Sequence, residues 1–234
     1  MPEIILVHGA WHGAWVWERL IDHLPADLVR IVAVELPNSV NGRPVTLEDH
    51  VAHLHPFVAA AGGDAVIVAH SYSGLVVQQV LGQGGVQPGH VVFVDAWLGH
   101  DGDSMFSLAP EPDVDYWRAG AVDGMIPPPA PEFVGITDPD DAAWLAAHLT
   151  SQPLRTFTDA IHLPEGWLSC DATAVLCEPA TLFPFERWAR AHSLPLVRLR
   201  SGHDAMITVP VALAEVVLGA AGVEMPAGTR SSTD

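Results

Sequence analysis

Val68-Ala69-His70-Ser71-Tyr72-Ser73-Gly74 stands between an apolar β-branched run and a helix-length segment. Ala65 to Ala69 reads as a strand, and Ser73 to about Leu81 reads as a helix. Ser71 then occupies the turn between them, the point where a serine is held in a strained conformation above the carboxyl end of a parallel sheet. Strand and helix approach closely there, so the flanking residues must be small. The usual pattern is Gly-x-Ser-x-Gly; here Ala69 and Ser73 replace the two glycines, and Gly74 follows. The turn also brings the Tyr72 amide to a helix N-terminus, where it can donate to a developing oxyanion. The plainer reading is an ordinary serine on a strand-to-helix loop, and the surrounding sequence has to decide between the two.

Outward from this turn, short apolar runs alternate with helix-length segments. Ile4 to Val7 and Arg30 to Val34 read as strands, with a helix from Gly13 to Leu24 between them that Pro25 ends. Thr46 caps a helix whose apolar positions Leu47, Val51, Leu54 and Val58 have near-helical spacing, and Gly62-Gly63 stops it. Val91 to Val94 is the next strand. Continuous apolar strands in a β-α-β rhythm predict a mostly parallel sheet covered by helices on both faces.

The rhythm breaks from about Leu98 to Leu168, a stretch rich in Pro, Asp, Trp and Met that includes Pro127-Pro128-Pro129. One clear helix is expected there, begun by Asp138-Pro139 and running through Trp144 to Leu149. A structureless loop of this length is unusual inside a compact domain, so residues 98–168 read as an inserted lid of short helices. Alternation resumes with Ala174 to Cys177 and Leu196 to Leu199 as strands, and Pro184 to Ala191 and Val211 to Leu218 as helices. The division is therefore a core of residues 1–97 and 169–225, the lid, and a small polar tail over 226–234.

Three further features carry chemistry. His8-Gly9-Ala10-Trp11-His12-Gly13-Ala14-Trp15 follows the first strand, and its His-Gly turn lets the Ala10 amide serve as a second oxyanion donor. His8 and His12 could instead suggest a metal pair, but no Cys or carboxylate cluster matches them, and no metal or cofactor is expected. Ser201-Gly202-His203-Asp204-Ala205-Met206 lies between the last strand and the last helix. Chemistry gathers beyond the carboxyl ends of parallel strands, and His203 follows Ser71 in chain order, so among 13 histidines it is the candidate general base.

The acid that should fix the imidazole's tautomer has two candidates. Asp95 ends the strand Val91-Val92-Phe93-Val94 and is favoured; Glu178 ends Val175-Leu176-Cys177. Asp204 adjoins His203, but its side chain is expected to point away and to cap the final helix. Trp11, His70, Trp97, Met105, Phe106, Trp117, Met125, Phe133 and Trp144 are candidate walls of an apolar or aromatic pocket, although some of them must simply attach the lid to the sheet.

Composition bounds the partners. The formal charge is −18, all ten basic residues are Arg, and Lys is absent. Such a surface repels nucleic acid and anionic membranes, and the missing Lys excludes Schiff-base, P-loop and lysine-base chemistry. Two cysteines, Cys170 and Cys177, are too few for a disulfide framework and suit a reducing, cytoplasmic setting. Met1 leads directly into the first strand without a charged n-region, so no signal peptide is expected. No apolar run reaches the roughly 18 residues of a membrane span.

The three quoted blocks, with Val94-Asp95-Ala96 as a fourth, resemble the α/β-hydrolase superfamily over nearly the whole chain. They resemble in particular its lidded branch of plant methyl-salicylate-type esterases, hydroxynitrile lyases and small bacterial esterase-like proteins. The resemblance implies an α/β-hydrolase fold and acyl hydrolysis of a small-molecule ester by a monomer or homodimer. Ser71 would be the nucleophile, His203 the base, and the amides of Ala10 and Tyr72 the oxyanion hole. Two departures stand out. The plant-type acid position falls on Ala180, which moves the acid role to Asp95. The lyases use a lysine that this chain lacks. Epoxide hydrolases and dehalogenases of this fold use an Asp nucleophile, which Ser71 argues against. An ester, lactone or thioester with an apolar or aromatic group is the leading expectation. A cyclase or lyase of specialised metabolism, or a catalytically weak ligand-binding member, stays open.

Overall fold

A computed structural model of the chain describes residues 1–85, 87–179 and 183–224. The strands are β1 (Glu3–Val7), β2 (Arg30–Val34), β3 (Ser39–Val40), β4 (Arg43–Pro44), β5 (Val66–His70), β6 (His90–Val94), β7 (Met125–Ile126), β8 (Gln152–Pro153), β9 (Asp171–Glu178) and β10 (Leu196–Arg200). The helices are α1 (Glu18–Ile21), α2 (Leu47–Ala61), α3 (Ser73–Gly82), α4 (Met105–Leu108), α5 (Glu111–Gly120), α6 (Pro139–His148), α7 (Arg155–Thr158), α8 (Phe185–Ala191), α9 (Ala205–Thr208) and α10 (Pro210–Ala220). Ala14–Trp17 and Pro131–Val134 form 3-10 turns.

Six strands form one sheet in the order β10-β9-β6-β5-β1-β2, and every pairing in it is parallel. Side chains alternate faces along a strand, which splits the core into two halves. Ile5, Val7, Ile67, Ala69, Val91 and Phe93 pack on the face that carries α2, α3 and α8. Ile4, Leu6, Val66, Val68, Val92 and Val94 pack on the face that carries α1, α9 and α10. Burial on both faces explains why these strands read as unbroken apolar runs. The chain runs outward from β1 to β2 and then crosses back to β5 on the other side of β1. That reversal makes a crevice at the carboxyl ends of β1 and β5, where ligands bind in sheets of this kind.

One sequence expectation needs correction. Gly13 to Leu24 is not one helix: a 3-10 turn leads into the single turn of α1, and Gly13 offers no side chain to cap it. The segment 98–168 contains four helices (α4 to α7), two of them only four residues long, and of these the sequence marked α6. Three others match closely. Thr46 caps α2 in a reciprocal capping box with Asp49, α3 runs through Gly82, and β9 extends to Asp171. Ala180 and the tail 226–234 lie outside the described residues. Among the described residues, no helix is long and apolar enough to cross a membrane.

Candidate active site

Three residues at the carboxyl ends of neighbouring strands adopt left-handed backbone angles that side chains disfavour. Trp11 lies beyond β1 (φ 63°), Ser71 directly follows β5 (φ 53°) and Asp95 directly follows β6 (φ 39°). Such conformations persist only where the surroundings over-determine them, and they concentrate at functional sites. The Ser71 amide donates to the Val94 carbonyl at 3.0 Å, and its own carbonyl accepts from Gly74 and Trp97, each at 3.0 Å. Glycine is required on both sides of the serine. A Cβ on Gly74 would lie 2.4 Å from the Trp97 carbonyl oxygen, and one on Gly9 would lie 2.9 Å from the Ser71 Cβ. Ser73, which replaces the second glycine of the usual pattern, has its hydroxyl 2.8 Å from the Val7 carbonyl and joins the start of α3 to β1.

His203 lies on the loop after β10. Ser201 donates to the Glu178 carbonyl at 2.8 Å, so the loop folds over the end of β9 toward β6. There the His203 Nδ1 lies 3.1 Å from Asp95 Oδ2, while Asp95 Oδ1 accepts from the Cys177 amide at 2.9 Å. The bond to the carboxylate protonates Nδ1 and leaves Nε2 as the bare, basic nitrogen. Phe185 stacks on the imidazole at 5.4 Å between centroids with 11° between planes, His70 covers another side at 4.6 Å, and the His203 amide donates to the Val134 carbonyl at 2.9 Å. Glu178 is engaged elsewhere: its carboxylate bonds Arg198, which also bonds Glu186.

Ser71 and His203 line one narrow cavity, together with Ala10, Trp11, His12, Trp97, Met105, Trp117, Phe133, Val134 and Phe183. Most of this wall is apolar or aromatic, and the segment 98–168 supplies Met105, Trp117, Phe133 and Val134. Four expected wall residues do not line the cavity. His70 is buried beneath it against His203, and Phe106 packs behind Trp117 and Phe157. Met125 belongs to the two-stranded antiparallel sheet of β7 and β8. Trp144 packs on Trp15 and lies under the Arg19 guanidinium. Phe183 and Val134 were not expected in the wall, and no local sequence pattern marks them.

The Ala10 and Tyr72 amides donate to no backbone acceptor outside the regular elements among the described residues. Each is held by neighbours. The Trp11 amide donates to Gln152 Oε1 at 3.0 Å, and the Trp11 carbonyl accepts from Thr150 at 2.9 Å. The Tyr72 hydroxyl lies 2.9 Å from His50 Nδ1, whose Nε2 lies 2.8 Å from the Pro37 carbonyl. Sequence reasoning passed over Gln152, Thr150 and His50, because nothing local links them to a turn so far away in the chain.

Histidine charge differs sharply around the site. Burial pushes His8 down to about 3 and His50 down to about 4, and holds His70 well below its ordinary value. Burial alone would lower His12, but the charge and hydrogen bond of Asp204, with the bond to the Ala10 carbonyl, together outweigh it and the pKa is raised. Asp204, contrary to expectation, makes no side-chain cap for the following helix; its Oδ2 lies 3.3 Å from His12 Nε2. Burial alone would raise Asp204, but the charge and hydrogen bond of His12, with the charges of His70 and His203, together hold it at about 2. His70, His203 and Asp204 bring one potential ligand atom each within 4.8 Å of one another. The bonds from His203 to Asp95 and from His70 Nε2 to the His203 carbonyl at 3.2 Å account for the clustering without an ion.

Residues 4–216 match the profile of the Alpha/beta hydrolase family. The chain is 28% identical over 238 residues to a carbendazim hydrolyzing esterase of Nocardioides sp. (strain SG-4G), covering 92% of this chain and 98% of that one. An extracellular α/β-hydrolase from a Paenibacillus species, described as sharing structural and functional homology with tobacco salicylic acid binding protein 2, superposes with a TM-score of 0.82 at 19% identity, covering 94% and 99% of the two chains. The methylesterase MES16 from Arabidopsis superposes with a TM-score of 0.75 at 18% identity, covering 95% and 99%. At these identities the two structures attest to the fold alone.

Proposed function

The chain belongs to the alpha/beta hydrolase family, and we propose that it cleaves a small carboxylic ester through Ser71, His203 and Asp95. The observation that carries this reading is the 3.1 Å contact between His203 Nδ1 and Asp95, in a cavity shared with a serine on a strained turn. His203 Nε2 takes the Ser71 hydroxyl proton as Oγ attacks the ester carbonyl. The amides of Ala10 and Tyr72 hold the resulting oxyanion. Collapse breaks the bond to the alcohol oxygen, which leaves with the proton from His203. Water then attacks the acyl-serine, again through His203, and releases the acid.

Substrate preference follows from the wall. Trp11, Trp97, Trp117, Phe133 and Phe183 bury an apolar or aromatic group, and no Lys, Arg, Asp or Glu lines the cavity among the described residues. The related carbendazim hydrolyzing esterase supports an ester-type substrate. Residues 98–168 act as the lid over this chamber. The unpaired Cys170 and Cys177 suit a cytoplasmic enzyme, and a site complete within one chain suits a monomer or homodimer.

The test is hydrolysis of p-nitrophenyl esters alongside fluorophosphonate labelling. Both should disappear in Ser71→Ala. Labelling or turnover that survives this substitution sinks the assignment.

A further inference from the structure

Below the cavity, three loops meet in a buried polar network that the reaction steps above do not use. His12 follows β1, His70 is the last residue of β5, and Asp204 follows His203 beyond β10. His70 and Asp204 are wholly buried, and His12 is 5% exposed. His12 Nδ1 lies 2.7 Å from the Ala10 carbonyl, and its Nε2 lies 3.3 Å from Asp204 Oδ2. His70 Nε2 lies 3.2 Å from the His203 carbonyl and 3.5 Å from Asp204 Oδ1.

Both ring nitrogens of His12 face acceptors. A neutral imidazole has only one N–H, so satisfying both requires the imidazolium. The contrast with two other buried histidines is direct. His8 Nδ1 faces the Gly9 carbonyl, and its Nε2 accepts from the Leu36 amide; His50 Nε2 faces the Pro37 carbonyl, and its Nδ1 accepts from the Tyr72 hydroxyl. Each of those rings has one donor and one acceptor around it and is satisfied while neutral. The groups packed about His12 are Asp204, His70 and Trp15, and Asp204 is the one anion that offsets its charge.

We propose that Asp204 and His12 form a buried carboxylate–imidazolium pair that positions the Ala10 oxyanion donor and the His203 base relative to each other. The proposal rests on the roles given above to Ala10, Ser71 and His203. The imidazolium pins the carbonyl of Ala10, whose amide faces the reaction. Asp204 carries the other end of that link one residue from His203. His70 completes the frame by bonding the His203 carbonyl from the residue adjoining Ser71. Neither Asp204 nor His12 exchanges a proton with substrate in this scheme; they are positioning residues.

Two measurements test it. In the first, nitrogen-15 NMR of the wild-type imidazoles at pH 7 should show His12 protonated on both nitrogens. A neutral His12 overturns the proposal, and this reading needs no variant. In the second, Asp204→Asn keeps the shape but removes the charge; it should lower kcat on p-nitrophenyl acetate at least about tenfold, leave KM within about twofold and return His12 to the neutral form. His12→Gln should show the same split between kcat and KM. The double variant should be no slower than the slower single one, because the two residues act as a unit. An unchanged kcat in folded Asp204→Asn, or fully additive losses, overturns it. Failure of the underlying active-site reading looks different: labelling by fluorophosphonate would survive Ser71→Ala, whatever the charge of His12.

Discussion

His203 Nδ1 meets Asp95 Oδ2 at 3.1 Å across 108 residues of sequence, and the Cys177 amide holds the other carboxylate oxygen at 2.9 Å. The carboxylate is 2% exposed, so nothing but these donors competes for it. The arrangement fixes the imidazole's tautomer and offsets the positive charge that it gains during turnover.

Asp95→Asn should therefore lower kcat by about three to four orders of magnitude, the scale set by losing the correct tautomer in a serine–histidine–aspartate site. Glu178→Gln should stay within about threefold of wild type, because Glu178 serves Arg198 and not His203. Steady-state kinetics on a p-nitrophenyl ester rank the two. A larger loss in Glu178→Gln would move the acid to β9.

His203→Ala should reduce turnover by several orders of magnitude, and adding Ser71→Ala should cost little more. Nucleophile and base act as one unit, so their losses do not add. Measured kcat values of the two single variants and the double variant decide it. Independent, additive losses would mean that the two side chains do not cooperate.

Phe133 and Trp144 separate the cavity wall from the lid's attachment. Phe133→Ala should raise KM for an aryl ester by about tenfold through lost apolar contact. Trp144→Ala should leave kcat and KM within about twofold, since Trp144 packs on Trp15 and Arg19 away from the cavity. Its effect should appear in thermal unfolding as a lowered Tm. A KM shift in Trp144→Ala would place that ring at the substrate.

Stability should fall as pH drops from 7 to 5. His8, His50 and His70 are neutral in the fold, with pKa values below the 6.5 of the unfolded chain. Below 6.5 the unfolded chain binds protons that the fold refuses, and each such histidine costs about 1.4 kcal/mol per pH unit until its folded pKa is reached. His12 works in the opposite direction: its raised pKa contributes stability fully below 6.5, lost as pH rises through the folded value. His90 and His192, whose values partial burial also lowers, act in the same direction, and five against one gives a net loss on acidification. Asp204 adds nothing in this window, because its contribution is lost only below pH 3.8, toward about 2. Tm measured by circular dichroism from pH 5 to 8 checks the sign; a rising Tm on acidification would contradict it.

Much of the fold was legible because local pattern carried it. Unbroken apolar runs marked the buried parallel strands, and Ser71 and His203 stood out by lying between a strand and a helix. The segment 98–168 resisted reading for a physical reason. Helices of four residues such as Met105–Leu108 and Arg155–Thr158 span little more than one turn, too short for an amphipathic period to emerge. They are held by the burial of Met105 and Phe157 in the core. Asp204 was misread for a related reason: its cap position was visible in sequence, whereas its partner His12 lies 192 residues away.

The sequence by itself determined the sheet, the strained serine turn and the late histidine, since each depends on neighbours within a few residues. Only the tertiary structure decided which carboxylate serves His203, which aromatic rings face the cavity and which buried histidine carries charge. Those outcomes depend on the strand order β10-β9-β6-β5-β1-β2, which sets residues far apart in the chain within hydrogen-bonding distance. In a dry interior, a proton's position is settled by whichever donors and acceptors actually meet.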